Sequence, residues 1–268
     1  MPTSRTEFLR FGCVWRALSC CVVVWGLGLG CEQSSHDASG VVSTPSVSSA
    51  GQDQPDHVSA SRSPRAAAVE ESRPTLVAFG DSLTAGLGVG PKASYPSLLQ
   101  AALEAAGYRF RVINAGVSGD TTAGAVRRVD WVLKSRPRIV ILEFGANDGL
   151  RGWPIHQTRM NLETIITRLQ AAGVTVVLAG MQLPPNYGED YTAQFAALYP
   201  ELAHKYSLTL IPFFLEGVAG NPALNQVDGL HPTELGYRLV TETVMKYVSP
   251  IAAMQSGGTP SRTVPGRA

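Results

Sequence analysis

The chain has 268 residues, of which 44% are hydrophobic and 16% charged, and its formal net charge is +1. This composition is that of an ordinary globular protein, and the charge balance lacks the basic excess typical of nucleic-acid binding. All four cysteines, Cys13, Cys20, Cys21 and Cys31, lie near the N-terminus. The rest of the chain therefore has no disulfide framework, cysteine metal site or cysteine nucleophile. We expect no cofactor and no metal.

Residues 1–31 have the layout of a secretory signal peptide. Three arginines precede an apolar run over residues 17–30, which is shorter than the roughly 20 residues that a membrane-spanning helix needs. Cys31 closes this run directly before a polar tract, as at a bacterial lipoprotein processing site, although Gly28 stands where such sites usually carry Leu. The segment predicts export to the periplasm or beyond. Cys31 is either acylated, which would attach the protein to a membrane, or carries no lipid.

Two further segments depart from the average composition. Residues 32–73 are rich in Ser, Pro, Ala and Gly and have few large apolar side chains, so they cannot bury enough surface to offset chain entropy. We predict a disordered tether there and a disordered tail of similar composition over residues 253–268. Residues 74–252 remain, enough for one domain with a sizeable core but hardly for two.

Five short apolar runs in this domain predict β-strands. They are residues 76–79, 112–113, 139–142, 174–178 and 208–211. Three of them are almost continuously apolar, which is typical of parallel strands covered by helices on both faces.

Segments whose apolar residues have the spacing of an α-helix separate the predicted strands. The apolar positions over residues 98–106 and 162–169 predict helices that end at Gly107 and near Gly173, and a last helix is predicted from Thr233 to about Val248. Strands that alternate with helices predict an α/β protein, a three-layer α/β/α sandwich with a five-stranded parallel sheet. Ligands in such domains bind beyond the carboxyl ends of the strands.

The loops at those strand ends carry a set of residues suited to nucleophilic catalysis. Ser82 follows the first predicted strand, while Asp228 and His231 lie three residues apart before the last helix. A serine hydroxyl needs a neighbouring imidazole to take its proton, and the imidazole needs a carboxylate to fix its tautomer. We therefore predict Ser82 as nucleophile with the Asp228/His231 pair as its acid-base apparatus.

An oxyanion that forms during acyl transfer needs preorganised hydrogen-bond donors. The backbone N–H groups of Ser82 and Gly116 and the side-chain amide of Asn147, which follow the first three strands, are the predicted donors. Glycine at position 116 would leave the acyl group free to approach its N–H.

Each of these residues also has a purely structural alternative. Ser82 alone could cap a helix, Gly116 could serve a turn, and Asn147 could bond its own loop. Asp81 and Asp120 are interpreted as turn or cap residues. Arg151 is interpreted as an exposed structural arginine. A phosphate-binding role for the glycines after the first strand is disfavoured, because they lack the dinucleotide spacing.

Taken together, the four loops resemble those of the SGNH (GDSL-type) hydrolases. Ser82 stands in Gly-Asp-Ser-Leu, Gly116 and Asn147 correspond to the oxyanion-hole residues, and Asp228 and His231 form the Asp-x-x-His block. The resemblance covers about residues 75–248 and is strongest to bacterial periplasmic acyl-CoA thioesterase/lysophospholipase/arylesterase enzymes. It implies a flavodoxin-like SGNH hydrolase fold.

The activity implied by this resemblance is hydrolysis of arylesters, lysophospholipids or acyl thioesters through an acyl-serine intermediate. A small-molecule or lipid acyl ester would be the substrate. Two alternatives stay open: a carbohydrate O-acetylesterase, and a non-catalytic, surface-tethered binding domain. The complete set of five site residues disfavours the binding domain, because a binder has no need for all of them.

Overall fold

The computed structural model describes residues 73–255. Its strands are β1 (Thr75–Gly80), β2 (Arg111–Asn114), β3 (Pro137–Glu143), β4 (Thr175–Ala179) and β5 (Thr209–Ile211). These described strands form one parallel sheet in the order β2-β1-β3-β4-β5. The parallel sheet predicted from the apolar runs is confirmed, with strand ends shifted by one or two residues.

Helices connect the strands. They are α1 (Ser82–Ala85), α2 (Tyr95–Ala105), α3 (Thr122–Lys134), α4 (Ala146–Leu150), α5 (Ile155–Ala171), α6 (Glu189–Tyr206) and α7 (Glu234–Gln255), with 3₁₀ turns at Pro91–Ala93 and Pro185–Tyr187. Helix α2 packs against α7, while α5 packs between α3 and α6. These two groups of helices sandwich the sheet, as the three-layer prediction requires.

The central strands are buried on both faces. Every residue of β1 is buried, and in β3 only Arg138 is exposed. Residues on both faces of a parallel sheet lie beneath helices, so a nearly continuous apolar run is stable there. The largest fully buried side chains include Phe79 and Phe144, whose rings pack edge to face.

The direction in which the chain connects neighbouring strands reverses between β1 and β3. The chain leaves β1 toward β2 on one side and returns to β3 on the other, and ligands bind at such points. Gly80 at the end of β1 is paired with Glu143 at the end of β3. The loops that carry Ser82 and Asn147 therefore leave the sheet side by side.

Two predicted boundaries differ from the structure. Helix α7 continues through Pro250 to Gln255 rather than ending near Val248, because Ile251 and Ala252 are buried and Gln255 Nε2 donates to Thr175 Oγ1 at 2.8 Å. At the other end, Arg73, assigned to the tether, pairs with Glu104 at 2.9 Å.

The predicted signal peptide, Cys31, nearly all of the tether and most of the tail lie outside the described residues. Within residues 73–255, no helix is both long and apolar enough to cross a membrane. The same part of the chain contains no group of three or more His, Cys, Asp or Glu residues that could hold a metal ion.

A glutamate is buried at the carboxyl end of β3. Glu143 has no exposed surface, and its Oε2 accepts hydrogen bonds from Thr84 Oγ1 at 2.8 Å and from the Asp81 N–H at 3.3 Å. Burial raises the pKa of the Glu143 carboxyl well above its usual range, and the nearby Asp81 carboxylate raises it further. A Cβ at Gly80 would lie 2.4 Å from Glu143 Oε2, so only glycine leaves room for this carboxyl.

Glu143→Gln is expected to reduce the pH dependence of stability. Because folding raises the pKa of Glu143, the wild-type protein should lose stability as pH rises above the ordinary value of 4.5, by at most about 1.4 kcal/mol per pH unit for this group. The amide keeps an acceptor oxygen and cannot ionise. The free energy of unfolding in urea should therefore shift in favour of the variant between pH 4 and pH 8. A shift in favour of the wild type would contradict the raised pKa.

Candidate active site

Ser82 is the first residue of α1, directly beyond the end of β1. Asp81 caps this short helix, with its Oδ1 accepting from the Leu83 N–H at 3.0 Å, so its interpretation as a cap residue is confirmed. The first N–H groups of a helix have no carbonyl partner within it. The N–H of Ser82 is therefore available to a ligand, and Ser82 lines a cavity.

His231 and Asp228 meet Ser82 from the loop before α7. His231 Nε2 lies 2.9 Å from Ser82 Oγ, and His231 Nδ1 lies 2.7 Å from Asp228 Oδ2. With Nδ1–H bonded to the carboxylate, Nε2 is the ring nitrogen free to accept a proton. The structure thus brings together the three side chains predicted as a nucleophilic group.

Local hydrogen bonds keep Asp228 ionised. The backbone N–H of His231 donates to Asp228 Oδ1 at 3.0 Å, and the N–H of Leu230 donates to the same atom at 2.9 Å. These contacts lower the pKa of the Asp228 carboxyl to about 2. The His231 N–H has the largest effect, followed by the His231 ring and the Leu230 N–H. Asp228 therefore carries its charge at every pH near neutrality.

A glutamine ties the histidine loop to the serine segment. The Gln226 N–H donates to the His231 carbonyl at 2.7 Å, which closes the loop on itself. Gln226 Nε2 reaches across to the Leu87 carbonyl at 2.7 Å, in the segment that follows α1. Gln226 thereby couples the two loops that must hold His231 and Ser82 within hydrogen-bond distance.

Asn147, at the start of α4, is oriented by Asp81. Its Nδ2 donates to Asp81 Oδ2 at 3.0 Å, which leaves the second hydrogen of that amide for another acceptor. Burial raises the pKa of the Asp81 carboxyl to about 6, against the opposing effect of hydrogen bonds from Leu83 and Asn147. Asp81 therefore caps α1 and orients the side-chain amide of Asn147.

Helix α4 is anchored through the residue after Asn147. The buried Asp148 carboxylate accepts from the Thr122 N–H at 3.0 Å and from the Thr122 hydroxyl. Asn161 Nδ2 donates to the same hydroxyl at 3.0 Å. Asp148 thus binds the N-terminal end of α3 and fixes the turn that presents Asn147.

Gly116 does not occupy its predicted place as an oxyanion donor. Its N–H donates to Asn114 Oδ1 at 2.9 Å, and it does not line the cavity. A Cβ at position 116 would lie 2.2 Å from the backbone N of Ala85. Glycine is therefore required here by the close approach of α1, and the predicted reason, access of an acyl group, is wrong.

Gly119, three residues later, lines the cavity instead. Within residues 73–255, no hydrogen bond engages its N–H. Its φ of +77° lies in the left-handed region that favours glycine, and Arg151 Nη2 donates to its carbonyl at 3.1 Å. Arg151 is exposed, as predicted, and stacks on Trp153. Among the described residues, Gly119 therefore lies at the cavity with an unbonded N–H, whereas Gly116 does not.

The cavity beside Ser82 is open to solvent and mainly apolar. It has a volume of about 690 Å³, which is within the usual range for ligand pockets. Ser82, Asn147, Gly119 and His231 lie along it. Its apolar wall includes Leu83, Leu150, Met181, Leu183, Phe213 and Leu215.

Several residues that shape the site were missed by sequence reasoning. Glu143 left a readable signal, since a carboxylate between an apolar strand and Phe144 is expected to be buried. Gln226 and Asp148 left none, because Leu87 and Thr122, which their side chains bind, lie far away in the sequence. Asp120 was expected to be a turn or cap residue; it bonds the Thr121 N–H at 3.0 Å and also forms an ion pair with Arg128.

The chain is similar to known ester hydrolases. The model of the GDSL-like Lipase/Acylhydrolase family matches residues 78–239. The chain is 40% identical over 178 residues to the esterase TesA of Pseudomonas aeruginosa, covering 66% of this chain and 89% of that protein. It is 37% identical over 188 residues to thioesterase 1/protease 1/lysophospholipase L1 of Escherichia coli, covering 70% and 87%.

A solved structure extends the likeness to three dimensions. The crystal structure of AlinE4, described as an SGNH-hydrolase family esterase, is 43% identical, has a TM-score of 0.57, and covers 69% of this chain and 98% of that one. Sequence and fold thus agree over the same region. The chain belongs to the GDSL-like lipase/acylhydrolase family and is a carboxylic ester hydrolase of the SGNH type.

Proposed function

We propose that Ser82 is the nucleophile, His231 the general base and acid, and Asp228 the carboxylate that orients His231. Ser82 Oγ forms a bond to the acyl carbon while its proton passes to His231 Nε2. His231 gives this proton to the departing alkoxide or thiolate, which leaves an acyl-Ser82 ester. Water then attacks this ester with the same proton transfers, and the carboxylic acid leaves.

The observation that carries this proposal is the continuous chain of contacts, 2.9 Å from Ser82 Oγ to His231 Nε2 and 2.7 Å from His231 Nδ1 to Asp228 Oδ2. A base held in this way contributes roughly 10²–10⁴ in rate. The anionic Asp228 stabilises the imidazolium that forms when His231 takes the proton. A binding domain would need none of this alignment.

The oxyanion donors in this proposal are the N–H groups of Ser82 and Gly119 and the second amide hydrogen of Asn147. All three residues line the same cavity. They leave the sheet after three different strands, so the donors are preorganised by the fold rather than by one flexible loop. Loss of one such donor typically costs about 10²–10³ in kcat.

The acyl chain of the substrate is proposed to lie in the apolar part of the cavity. Met181 follows β4, while Phe213 and Leu215 follow β5, so this wall lies on the opposite side of Ser82 from β2. Each buried methylene contributes about 0.8 kcal/mol, or roughly fourfold in kcat/KM. Medium and long acyl esters, thioesters and lysophospholipids are therefore the proposed substrates.

Ser82→Ala is expected to abolish both ester turnover and covalent labelling by a fluorophosphonate probe, because both reactions require the hydroxyl. The measurements are hydrolysis of p-nitrophenyl octanoate and mass spectrometry of the labelled protein. Ser118→Ala, which removes an exposed hydroxyl that does not line the cavity, is the matched control and should keep both. Full activity in Ser82→Ala would end the proposal.

Ala219→Trp is expected to shorten the acyl preference. Ala219 is exposed and lines the cavity, so an indole there fills acyl space without disturbing the core. The value of kcat/KM should fall about tenfold or more for octanoate and palmitate esters, since several methylenes lose burial, but little for the acetate.

Ala223→Trp, four residues further on, exposed and outside the cavity, is the control for this substitution and should leave all three esters unaffected. An equal loss on acetate in Ala219→Trp would contradict the acyl placement. A wild-type preference for acetate and for an acetylated glycan would favour the carbohydrate O-acetylesterase instead.

Export is proposed from the leader at residues 1–31 and attachment to a membrane from acylation of Cys31, which follows the apolar run. Mass spectrometry of the protein purified from exporting cells should find an N-terminal Cys31 carrying lipid. Cys31→Ser should then release the hydrolase from the membrane fraction. An unmodified Cys31, or its absence from the mature protein, would contradict acylation and leave plain cleavage.

A further inference from the structure

A single guanidinium group joins the segments that carry the two backbone donors. Arg128 extends from α3, and its Nη2 donates to the Gly80 carbonyl at 3.3 Å, at the end of β1. Its Nη1 donates to the Ala115 carbonyl at 3.0 Å, just beyond β2. Its Nε and Nη2 reach Asp120 Oδ2 at 2.8 and 2.5 Å. One side chain therefore binds two strand ends and a turn.

The residues that Arg128 binds are close in sequence to the two proposed oxyanion donors. Gly80 precedes Ser82 by two residues, and Asp120 directly follows Gly119. The Asp120 N–H donates to the Val117 carbonyl at 3.1 Å, so the turn that contains Gly119 is closed. A shift of the Arg128 contacts would therefore change the separation between the N–H groups of Ser82 and Gly119.

The surroundings of Arg128 hold it in one place. Its guanidinium carbon lies 4.9 Å from the ring centre of Phe79 and 5.9 Å from that of Phe144. Its side chain is 24% exposed and that of Asp120 only 12%, and charge-assisted bonds are strong in such sites. Gly124 makes room for the pair, since a Cβ there would lie 1.6 Å from Asp120 Oδ1.

Lysine could not reproduce this arrangement. Arginine presents five N–H donors in a planar fork, whereas a lysine ammonium has three donors at a single point. Arg128 uses its fork for four hydrogen bonds to three separate segments. An ammonium at the same position would reach only part of this set.

We propose that Arg128 is a positioning residue that fixes the Ser82 and Gly119 N–H groups at the separation an oxyanion requires. It touches no reacting atom and acts through Gly80, Ala115 and Asp120. The inference rests on the proposed function, because it takes these two N–H groups as donors to the oxyanion. Arg128 should therefore stabilise the tetrahedral intermediate more than it stabilises the bound substrate.

The test compares Arg128→Lys with Arg127→Lys, an exposed neighbour on the same helix. Active sites are counted by end-point titration with a fluorophosphonate, and kcat and KM are measured per titrated site with p-nitrophenyl octanoate. Affinity is measured for octylboronic acid, which forms a tetrahedral adduct on serine, and for octanoate, which forms none.

In Arg128→Lys, kcat per site and boronate affinity should both fall about tenfold or more, since small misplacements of catalytic groups cost rates of this order. KM and octanoate affinity should change by less than about twofold. Arg127→Lys should match the wild type. A kcat within twofold of the wild type, or an equal loss of boronate and octanoate affinity, would overturn the inference.

Asp120→Asn provides a second variant if Arg128→Lys does not fold, because it removes the charge partner and keeps the turn. The same split between kcat and KM is expected, and its absence would also overturn the inference. A wild-type protein that the fluorophosphonate cannot titrate would overturn the proposed function as well. A reactive wild type with an unaffected kcat in either folded variant would overturn only the role of Arg128.

Discussion

The pairing of Gly80 with Glu143 at the adjoining ends of β1 and β3 places two carboxyl groups beneath the nucleophile. Glu143 holds the Asp81 N–H and the Thr84 hydroxyl, while Asp81 holds the Leu83 N–H and the Asn147 amide. Helix α1 has only four residues, too few to be stable alone. Its shape, and with it the position of Ser82, therefore depends on these buried acceptors. The raised pKa of both carboxyl groups reflects the electrostatic cost of keeping them there.

Around this centre, each loop of the site is held by a side chain from another part of the chain. Gln226 ties the histidine loop to the segment after α1, Asp148 ties α4 to the start of α3, and Arg128 ties the ends of β1 and β2 to the turn of Gly119. Donors that are fixed before substrate arrives need no reorganisation when charge develops, which is the physical basis of oxyanion stabilisation. Hydrogen bonds between loops in this way hold a site that no single loop could fix.

Part of the apolar wall of the cavity follows strands that supply none of the proposed donors. The loops after β1, β2 and β3 supply Ser82, Gly119 and Asn147, which present N–H groups, while the loops after β4 and β5 supply Met181, Phe213 and Leu215. The carbonyl oxygen and the acyl chain of a substrate can therefore be bound by residues from different loops. An apolar wall binds a chain by burial rather than by directional bonds, so the proposed acyl site would accept chains of several lengths.

The amino-acid sequence by itself predicted the five strands, three of the seven described helices and the candidate residues Ser82, Asn147, Asp228 and His231, because apolar periodicity and the spacing within Asp228-Gly-Leu-His231 are local along the chain. Only the tertiary structure decided which glycine faces the cavity. Gly116 and Gly119 stand in one short loop with similar neighbours, and the approach of Ala85 to Gly116 joins positions far apart in sequence. The same holds for the contacts of Glu143 with Thr84, of Gln226 with Leu87 and of Arg128 with Gly80, which also join positions far apart in sequence. Such long-range contacts follow from packing, which no local pattern encodes.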